Sequence, residues 1–430
     1  MMNEAYSFYQ KQALDLVAKN AYLAELQTKA LADFAKLGFP SKGNEAWKYT
    51  KVDGFLKHFF TQERSQSLSS HAIEIVATGR QSDSPIGLKI PIINGVAMGL
   101  EALQKKLPTG VIVKPLTLAV DENIDKVKPY LDKILSHENG FQSLNSAMLA
   151  AGLFIYIPAN VVMVEPLLLA HLQASANEAT YLRHLIVAEE GSDISIIEDY
   201  QGDVAANYFT NAITEIFAAQ NAEVKHLKIQ RESSNAFHFG HVVAKQAANS
   251  NFTSHLMQLG GCWSRSDLTI SLEEKKSTCL LNGIYAPRKK QHMDSHTLVR
   301  HLAPDCSSWQ DYRGIVNDSA KAVFNGQVYV AREAKSTKAQ QQNKNLLLAN
   351  TAEINTLPQL NIYTDDVLCT HGATIGELDK DALFYFVTRG IDEADARRYL
   401  LQAFVSENLN VMANNTLSTW ISGLLSQQIG

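Results

Sequence analysis

The segment HLIVAEEGSDISIIEDY, from His184 to Tyr200, gives the clearest indication of the fold in this chain of 430 residues. It consists of two short runs rich in Ile, Val and Leu, separated by Glu-Glu-Gly-Ser-Asp. Branched aliphatic residues favour strands, whereas Gly, Ser and Asp favour turns. Apolar residues at helical spacing are few here, so the segment predicts two strands joined by a turn.

Runs of the same kind recur from about Val111 onwards, for example AEVKHLKIQ (222–230), SDLTISLEE (266–274) and FNGQVYVA (324–331). In Leu268, Ile270 and Leu272 the alternation with polar residues is strict, which is typical of a strand with one buried face. So many short strands require a sandwich, a barrel or a solenoid. LLNGIYA (280–286) echoes VFNGQVYVA (323–331) and favours a solenoid; two separate hairpins are the alternative, because Asn-Gly is a common hairpin turn.

Both ends of the chain have helical patterns. Apolar residues recur at helical spacing from Ala5 to Leu37. Near the other end, Asp379 is the predicted N-cap of KDALFYFVTR, Gly390 suits the end of that helix, and Asp392 is the predicted N-cap of the next. We therefore divide the chain into three parts: an N-terminal helical region with a linker (1–110), a β core (111–375) and a C-terminal helical region (376–430).

Two features of the first part stand out. Trp47 and Tyr49, in FPSKGNEAWKYTKV, are predicted to pack the N-terminal helices onto the rest of the chain. The polar stretch TQERSQSLSSH, starting at Thr61, is predicted to be a surface linker.

Composition excludes several classes of protein. Hydrophobic residues make up 46% and charged residues 19%, which fits a globular chain rather than a disordered one. The net charge of -5 argues against nucleic acid as a partner. The beginning of the chain has no apolar signal segment and no run is long enough to span a bilayer. With sparse, unpaired cysteines, these features predict a cytoplasmic protein with no membrane partner.

Catalytic motifs are absent from the sequence. GxxxxGK[ST], GxGxxG, GxSxG and HExxH do not occur, so we expect neither nucleotide hydrolysis through a P-loop nor the other chemistries that these motifs support. The chain is predicted not to be an enzyme, and no catalytic residue is assigned.

The pair Cys369 and His371, in CTHG, is the best candidate for metal binding. Residues two apart in a strand point to the same side, so a thiolate and an imidazole could reach one iron or zinc ion. Two ligands are too few for a closed site, and another chain would have to complete it. The alternative is a buried cysteine beside a hydrogen-bonded histidine. Further candidates are the histidines of FHFGHVV and QHMDSHTLVRHLAPDC, namely His238, His241, His292, His296 and His301.

Long ordered stretches resemble one family, the SufB/SufD proteins of the SUF iron–sulfur cluster assembly machinery. They are KGNEAWKYT, QHMDSHTLVRHLAPDCSSWQDYRGIV, AKAVFNGQVYVAREAKSTKAQQQNKNLLL and DDVLCTHGATIGELDKDALFYFVTRGI. The Trp-Lys-Tyr-Thr stretch resembles the SufD branch rather than SufB, and the cysteine-rich N-terminal motif of many SufB proteins is missing. The resemblance implies a mainly β fold, a right-handed parallel β-helix flanked by N- and C-terminal α-helical regions.

The resemblance also implies a function. It implies a scaffold that pairs with SufB and docks the ATPase SufC on its C-terminal helices, and that forms a homodimer when SufB is absent. Iron or a nascent cluster would form transiently at the SufB–SufD interface, with His371 as ligand and Cys369 beside it, and the isolated chain would bind no cofactor. For SufC docking we expect Leu383, Phe384, Tyr385 and Arg389, because the apolar stripe of their helix exceeds what one side can bury.

Three other functions compete with this one. They are a SufB-like self-associating scaffold, a β-helical enzyme acting on polysaccharide, and a stand-alone metal-binding β-helix protein using His292, His296 and His301.

Overall fold

The computed structural model describes residues 2–41, 43–62, 83–203, 205–409 and 414–429. Most of the predicted linker that starts at Thr61 lies outside these residues. Within the described ranges, no helix is long and apolar enough to cross a membrane.

Helices gather at the two ends of the described chain, with a further group before the main run of strands. They are α1 Met2–Asp15, α2 Ala21–Leu37, α3 Leu100–Gln104, α4 Leu116–Glu122, α5 Ile124–Val127, α6 Gly140–Ala147, α7 Lys380–Thr388, α8 Glu393–Leu409 and α9 Asn415–Ile429. Two 3₁₀ turns, Glu45–Trp47 and Phe55–Lys57, follow α2.

Strands occupy most of the remainder. The first nine are β1 Leu88–Ile93, β2 Val96–Ala97, β3 Ile112–Pro115, β4 Leu153–Ile157, β5 Leu167–Gln173, β6 Ala179–Ala188, β7 Asp193–Gly202, β8 Phe209–Ala218 and β9 Glu223–Gln230. The others are β10 Phe237–Gln246, β11 Asn251–Gln258, β12 Trp263–Leu272, β13 Thr278–Tyr285, β14 His292–His301, β15 Ser307–Val316, β16 Lys321–Val330, β17 Thr337–Leu347, β18 Glu353–Ile362 and β19 Val367–Gly376.

The strands form two sheets that face each other across an apolar interior. The first sheet has the order β2-β1-β5-β7-β9-β11-β13-β15-β17-β19, and the second has the order β3-β4-β6-β8-β10-β12-β14-β16-β18. From β5 onwards each strand pairs in parallel with the strand two places along the chain; Trp263, for example, lies beside His292, one turn of 29 residues later. The predicted parallel β-solenoid with helices at both ends is confirmed, and an antiparallel sandwich is excluded for this region.

The two Asn-Gly pairs do not make turns, so the hairpin alternative was wrong. Asn282-Gly283 lies within β13 and Asn325-Gly326 within β16. The two glycines face the interior, where a Cβ atom on Gly283 would lie 2.2 Å from the ring of Tyr312. Glycine is needed there because the next turn places a large side chain against the backbone.

Strands do not fill the whole of the region from Val111, since α4, α5 and α6 lie between residues 116 and 147. Helix α6 begins with a capping box, in which the Asn139 side chain accepts from the backbone of Phe141 and Gln142 and the Gln142 side chain accepts from the backbone of Asn139. All of its side chains are buried. This short helix joins the N-terminal helices to the second sheet.

The N-terminal helices cover the outer face of the second sheet through a cluster of aromatic rings, which we call the aromatic face. Its centre is Phe141, whose ring centroid lies 5.5 Å from that of Trp47 and 5.1 Å from that of Phe239. The Arg265 guanidinium lies 3.9 Å from the centre of the Trp47 ring. The predicted packing role is therefore confirmed for Trp47, whereas Tyr49 is 37% exposed.

The C-terminal helices cover the outer face of the first sheet. Leu401 and Val405 of α8, with Ile421 and Leu425 of α9, pack in one cluster with residues of the first sheet. His255 of β11 lies 2.9 Å from the Asn408 side chain of α8. Helix α7 does not take part in this cover, and no side chain of α7 is fully buried.

Candidate metal half-site at the open end of the solenoid

The last turn of the solenoid, formed by β18 and β19, is the end that we call the open end. These two strands are the outermost members of their sheets. Leu368 and Ile375 of β19 are 71% and 51% exposed. An edge strand with apolar side chains can pair with another chain. The open end therefore has the backbone groups and the apolar surface of an association site.

Strand β19 brings the two predicted ligands to the open end on one side of the strand. Cys369 pairs with Ala339 of β17, and His371 pairs with Gln341. Cys369 is half-buried against a small apolar cluster that includes Val328 and Val330, whereas His371 is exposed. Burial raises the pKa of the Cys369 thiol. Without a metal this cysteine is thus neutral at physiological pH, and the exposed imidazole is the more accessible ligand.

The described parts of the chain contain no group of three or more His, Cys, Asp and Glu side chains arranged to hold a metal ion. Cys369 and His371 together offer one soft and one borderline ligand. The arrangement can supply part of a coordination sphere.

The middle histidines do not form the three-histidine site of the competing stand-alone metal-binding hypothesis. His292 and His296 lie on the outer side of β14 around Asp294, whereas His301 is on the opposite side of the strand, in the interior, with its Nε2 2.9 Å from Ser308 Oγ. The sequence numbers already imply this, because positions 292 and 301 differ by an odd number of residues and alternate residues face opposite sides.

Asp294 instead anchors the N-terminal segment to the solenoid. Thr50 Oγ1 donates to its carboxylate at 2.6 Å, Arg265 Nη1 donates at 2.9 Å, and His296 Nε2 lies 2.9 Å away. Burial opposes ionisation of Asp294, yet His296 and Arg265 hold the pKa of its carboxyl well below the usual range. In the Trp-Lys-Tyr-Thr stretch, Thr50 and Trp47 therefore attach the N-terminal segment to the outer face of the second sheet.

His238 and His241 also lie apart. His238 faces the interior, where its Nδ1 lies 2.6 Å from the Glu232 carboxylate. His241 faces α6, and its Nδ1 accepts from the Gln142 side-chain amide at 3.0 Å while its Nε2 lies 3.1 Å from Thr269 Oγ1. Burial lowers the pKa of His241 to about 4. Both histidines serve the packing of the solenoid.

Sequence reasoning missed a group of charged side chains inside the first turns of the solenoid. Glu198 accepts from Tyr200 at 2.6 Å and lies 3.0 Å from His226 Nε2. Lys228 is also buried there, and burial lowers the pKa of its amine. The signal was present in DISIIEDY and EVKHLKIQ, because Glu198 and Lys228 occupy positions that alternate with outward-facing residues.

Helix α7 presents an exposed apolar surface close to the open end. Its predicted N-cap is confirmed, since Asp379 Oδ1 accepts from the backbone of Asp381 at 2.9 Å and of Ala382 at 3.0 Å. Phe384 is 69% exposed and Tyr385 is 56% exposed. Leu383 lines a cavity of about 380 Å³ between α7 and the loop that follows β17, and the Arg389 guanidinium lies 5.0 Å from the centre of the Tyr385 ring. Exposed aromatic rings beside a cavity are typical of a docking surface.

The chain is similar to proteins of known families. One protein-family model, "SUF system FeS cluster assembly, SufBD core domain", matches residues 171–404, and another, "SufBD protein N-terminal region", matches residues 2–169. The "Iron-sulfur cluster assembly protein SufD" of Escherichia coli K12 is 30% identical over 409 residues, which cover 93% of this chain and 91% of that protein. An iron–sulfur cluster assembly SufBD family protein of Synechocystis is 29% identical over 93% of this chain and 90% of its own length. "Protein ABCI7, chloroplastic" of Arabidopsis thaliana is 28% identical over 88% of this chain and 80% of its own length.

Proposed function

Because the chain is a SufD-type member of the SufBD family of the SUF iron–sulfur cluster assembly system, we propose that it acts there as a scaffold subunit and not as an enzyme. In this proposal it pairs with SufB through the open end, docks the ATPase SufC through α7, and offers His371 to iron or a nascent cluster at the shared interface. The observation that carries the proposal is the position of Cys369 and His371 together on the outermost strand of the first sheet.

Pairing with SufB is supported by the form of the last turn. The outermost strands β18 and β19 offer backbone groups for sheet extension, and exposed Leu368 and Ile375 offer apolar area. The same surface serves a homodimer when SufB is absent. Sedimentation of the isolated chain at micromolar concentration tests this point, and a strictly monomeric chain would count against it.

The metal half-site is supported by the chemistry of its two side chains. Neutral imidazole binds iron through a ring nitrogen, so the exposed His371 can serve as a ligand on this side of the interface. Cys369 is half-buried and has a raised thiol pKa, so it contributes less. The cargo is transient, and the isolated chain keeps no cofactor.

Docking of SufC is supported by α7, where Phe384, Tyr385 and Arg389 are exposed and Leu383 lines the neighbouring cavity; these four residues are the proposed contacts. Nucleotide chemistry then belongs to the partner. We also propose a cytoplasmic location, which the free cysteines fit and which cell fractionation tests.

The substitution His371→Ala tests the proposed function. The complex of this chain with SufB and SufC should still assemble, because one exposed side chain contributes little to a large interface. Cluster formation in cells should fall sharply, and Cys369→Ala should have a milder effect. Thr370→Ala, on the same strand but facing the other side, is the matched control and should behave like the unmodified chain. Normal cluster formation with His371→Ala would refute the ligand role.

A further inference from the structure

Gln341 lies directly beside His371, one turn further into the solenoid. The two residues are register partners in the parallel pairing of β17 with β19, and Gln310 of β15 is the next partner in the same row. Gln341 is completely buried, whereas His371 is exposed at the open end. Gln310, Gln341 and His371 are thus successive register partners, with His371 at the open end.

The Gln341 amide has an unusual environment for a buried group. Among the residues that the structure describes, neither its oxygen nor its nitrogen has a hydrogen-bond partner. Its neighbours each make at least one such bond: Gln310 Oε1 accepts from Thr297 at 2.7 Å, although Gln310 Nε2 has no partner among the described residues, and Asn343 Nδ2 donates to Tyr285 Oη at 2.9 Å. Buried amides are nearly always hydrogen-bonded, because leaving them bare destabilises the fold.

The strand opposite leaves room for this amide. A Cβ atom on Gly326 of β16 would lie 1.6 Å from Gln341 Nε2, so only glycine allows the side chain its present position. The Gly326 position thus accommodates an amide that makes no hydrogen bond of its own. An arrangement that destabilises the fold without a compensating contact is typical of a functional site.

We propose that Gln341 is a positioning residue for His371. When a partner surface covers the open end, the Gln341 side chain turns toward β19, and its Oε1 accepts the N–H of the His371 ring. The other ring nitrogen is then held free for iron. This inference rests on the proposed function.

The chemistry of histidine ligands supports this assignment. A neutral imidazole has one donor nitrogen and one acceptor nitrogen, and a metal-binding histidine usually donates its remaining N–H to a nearby acceptor. Neighbouring strands are about 4.8 Å apart, so a glutamine side chain can reach the ring of its register partner. A carboxamide oxygen at this distance fixes both the tautomer and the orientation of the ring.

The test is Gln341→Met in the complex of this chain with SufB and SufC. Methionine has nearly the shape of glutamine but no hydrogen-bonding amide, so the melting temperature should stay the same or rise. Cluster formation should nevertheless fall several-fold, toward the level of His371→Ala, and the ring ¹⁵N shifts of His371 should change because the tautomer is no longer fixed. Gln341→Glu keeps an acceptor oxygen and should retain more cluster formation than Gln341→Met. Gln310→Met makes the same change one turn deeper and should leave cluster formation and the His371 ring shifts unchanged.

The outcomes separate the two proposals. If Gln341→Met forms clusters normally while His371→Ala does not, the ligand role stands and the positioning role is refuted. If His371→Ala also forms clusters normally, the proposed function itself fails. A lowered melting temperature for Gln341→Met would show that the amide stabilises the folded chain, and this too would overturn the inference.

Discussion

The aromatic face and the open end of the solenoid differ in how far their large apolar side chains are buried. At the aromatic face, Phe141 is completely buried among rings from two N-terminal segments and from the second sheet. Near the open end, Phe384 is 69% exposed and Leu368 is 71% exposed. Both regions hold large apolar side chains, but only the first buries them within the chain. The difference separates side chains that stabilise the fold from side chains that remain available for association.

The first prediction concerns the aromatic face and has the largest expected effect. Phe141→Ala removes the ring that Trp47, Phe55 and Phe239 contact. The loss of buried surface and the cavity left behind should lower the free energy of unfolding by about 3–5 kcal/mol, measured by chemical denaturation.

Phe384→Ala is the matched control for this change. It removes the same ring from an exposed position and should alter the free energy of unfolding by about 0.5 kcal/mol or less. Equal destabilisation by the two changes would mean that the regions do not differ in the way proposed.

The sequence predicts more of the strands than of the connections between them. Alternation in Leu268, Ile270 and Leu272 indicates a half-buried strand, and the three residues do face the interior cluster. The same rule correctly puts Cys369 and His371 on one side of β19. The three-part division of the chain at residues 110 and 375 stays a prediction.

The incorrect sequence predictions share a physical cause: packing against residues distant in the sequence overrides the local preference for a turn, strand or helix. Asn-Gly favours a hairpin by itself, yet Gly326 lies inside a strand, where the Gln341 side chain of the opposite strand β17 occupies the space of its Cβ. Helix α6 is too short to show periodicity, and its Asn139 cap becomes meaningful only with the surface that buries it. The bare amide of Gln341 depends on residues far apart in sequence, so no local pattern reveals it.

The second prediction concerns the pH dependence of stability and the buried His241, which faces α6. His241 is neutral in the folded chain, since burial lowers its pKa to about 4 from an ordinary value of 6.5. The unfolded chain therefore binds more protons between these two pH values, and stability is present above pH 6.5 and lost as the pH falls toward 4. Protonation would also break the bond that Nδ1 accepts from Gln142.

His241→Gln should therefore flatten the dependence of unfolding free energy on pH in that window, by up to about 3 kcal/mol at its acidic end. Denaturation curves at several pH values measure this slope. Thr269→Val removes the other partner of the ring but keeps the titrating group, so it should lower stability and preserve the slope. A His241→Gln chain with the original slope would assign the pH dependence to other groups.

The last prediction concerns Phe384→Asp and has the smallest expected effect on folding. The side chain leaves α7 into solvent, so a carboxylate there meets no apolar surface within the chain, and the free energy of unfolding should change by about 0.5 kcal/mol or less. Binding of SufC, measured by calorimetry with the purified chain, should weaken at least tenfold, because a charge would have to be desolvated at the centre of the proposed interface. Lys29→Gln, at an exposed position of α2, lowers the net charge by the same one unit; it is the control for charge alone and should leave binding unchanged. If Phe384→Asp binds SufC normally, the exposed rings of α7 face some other partner; if it unfolds the chain, α7 belongs to the core and the contrast with the aromatic face is lost.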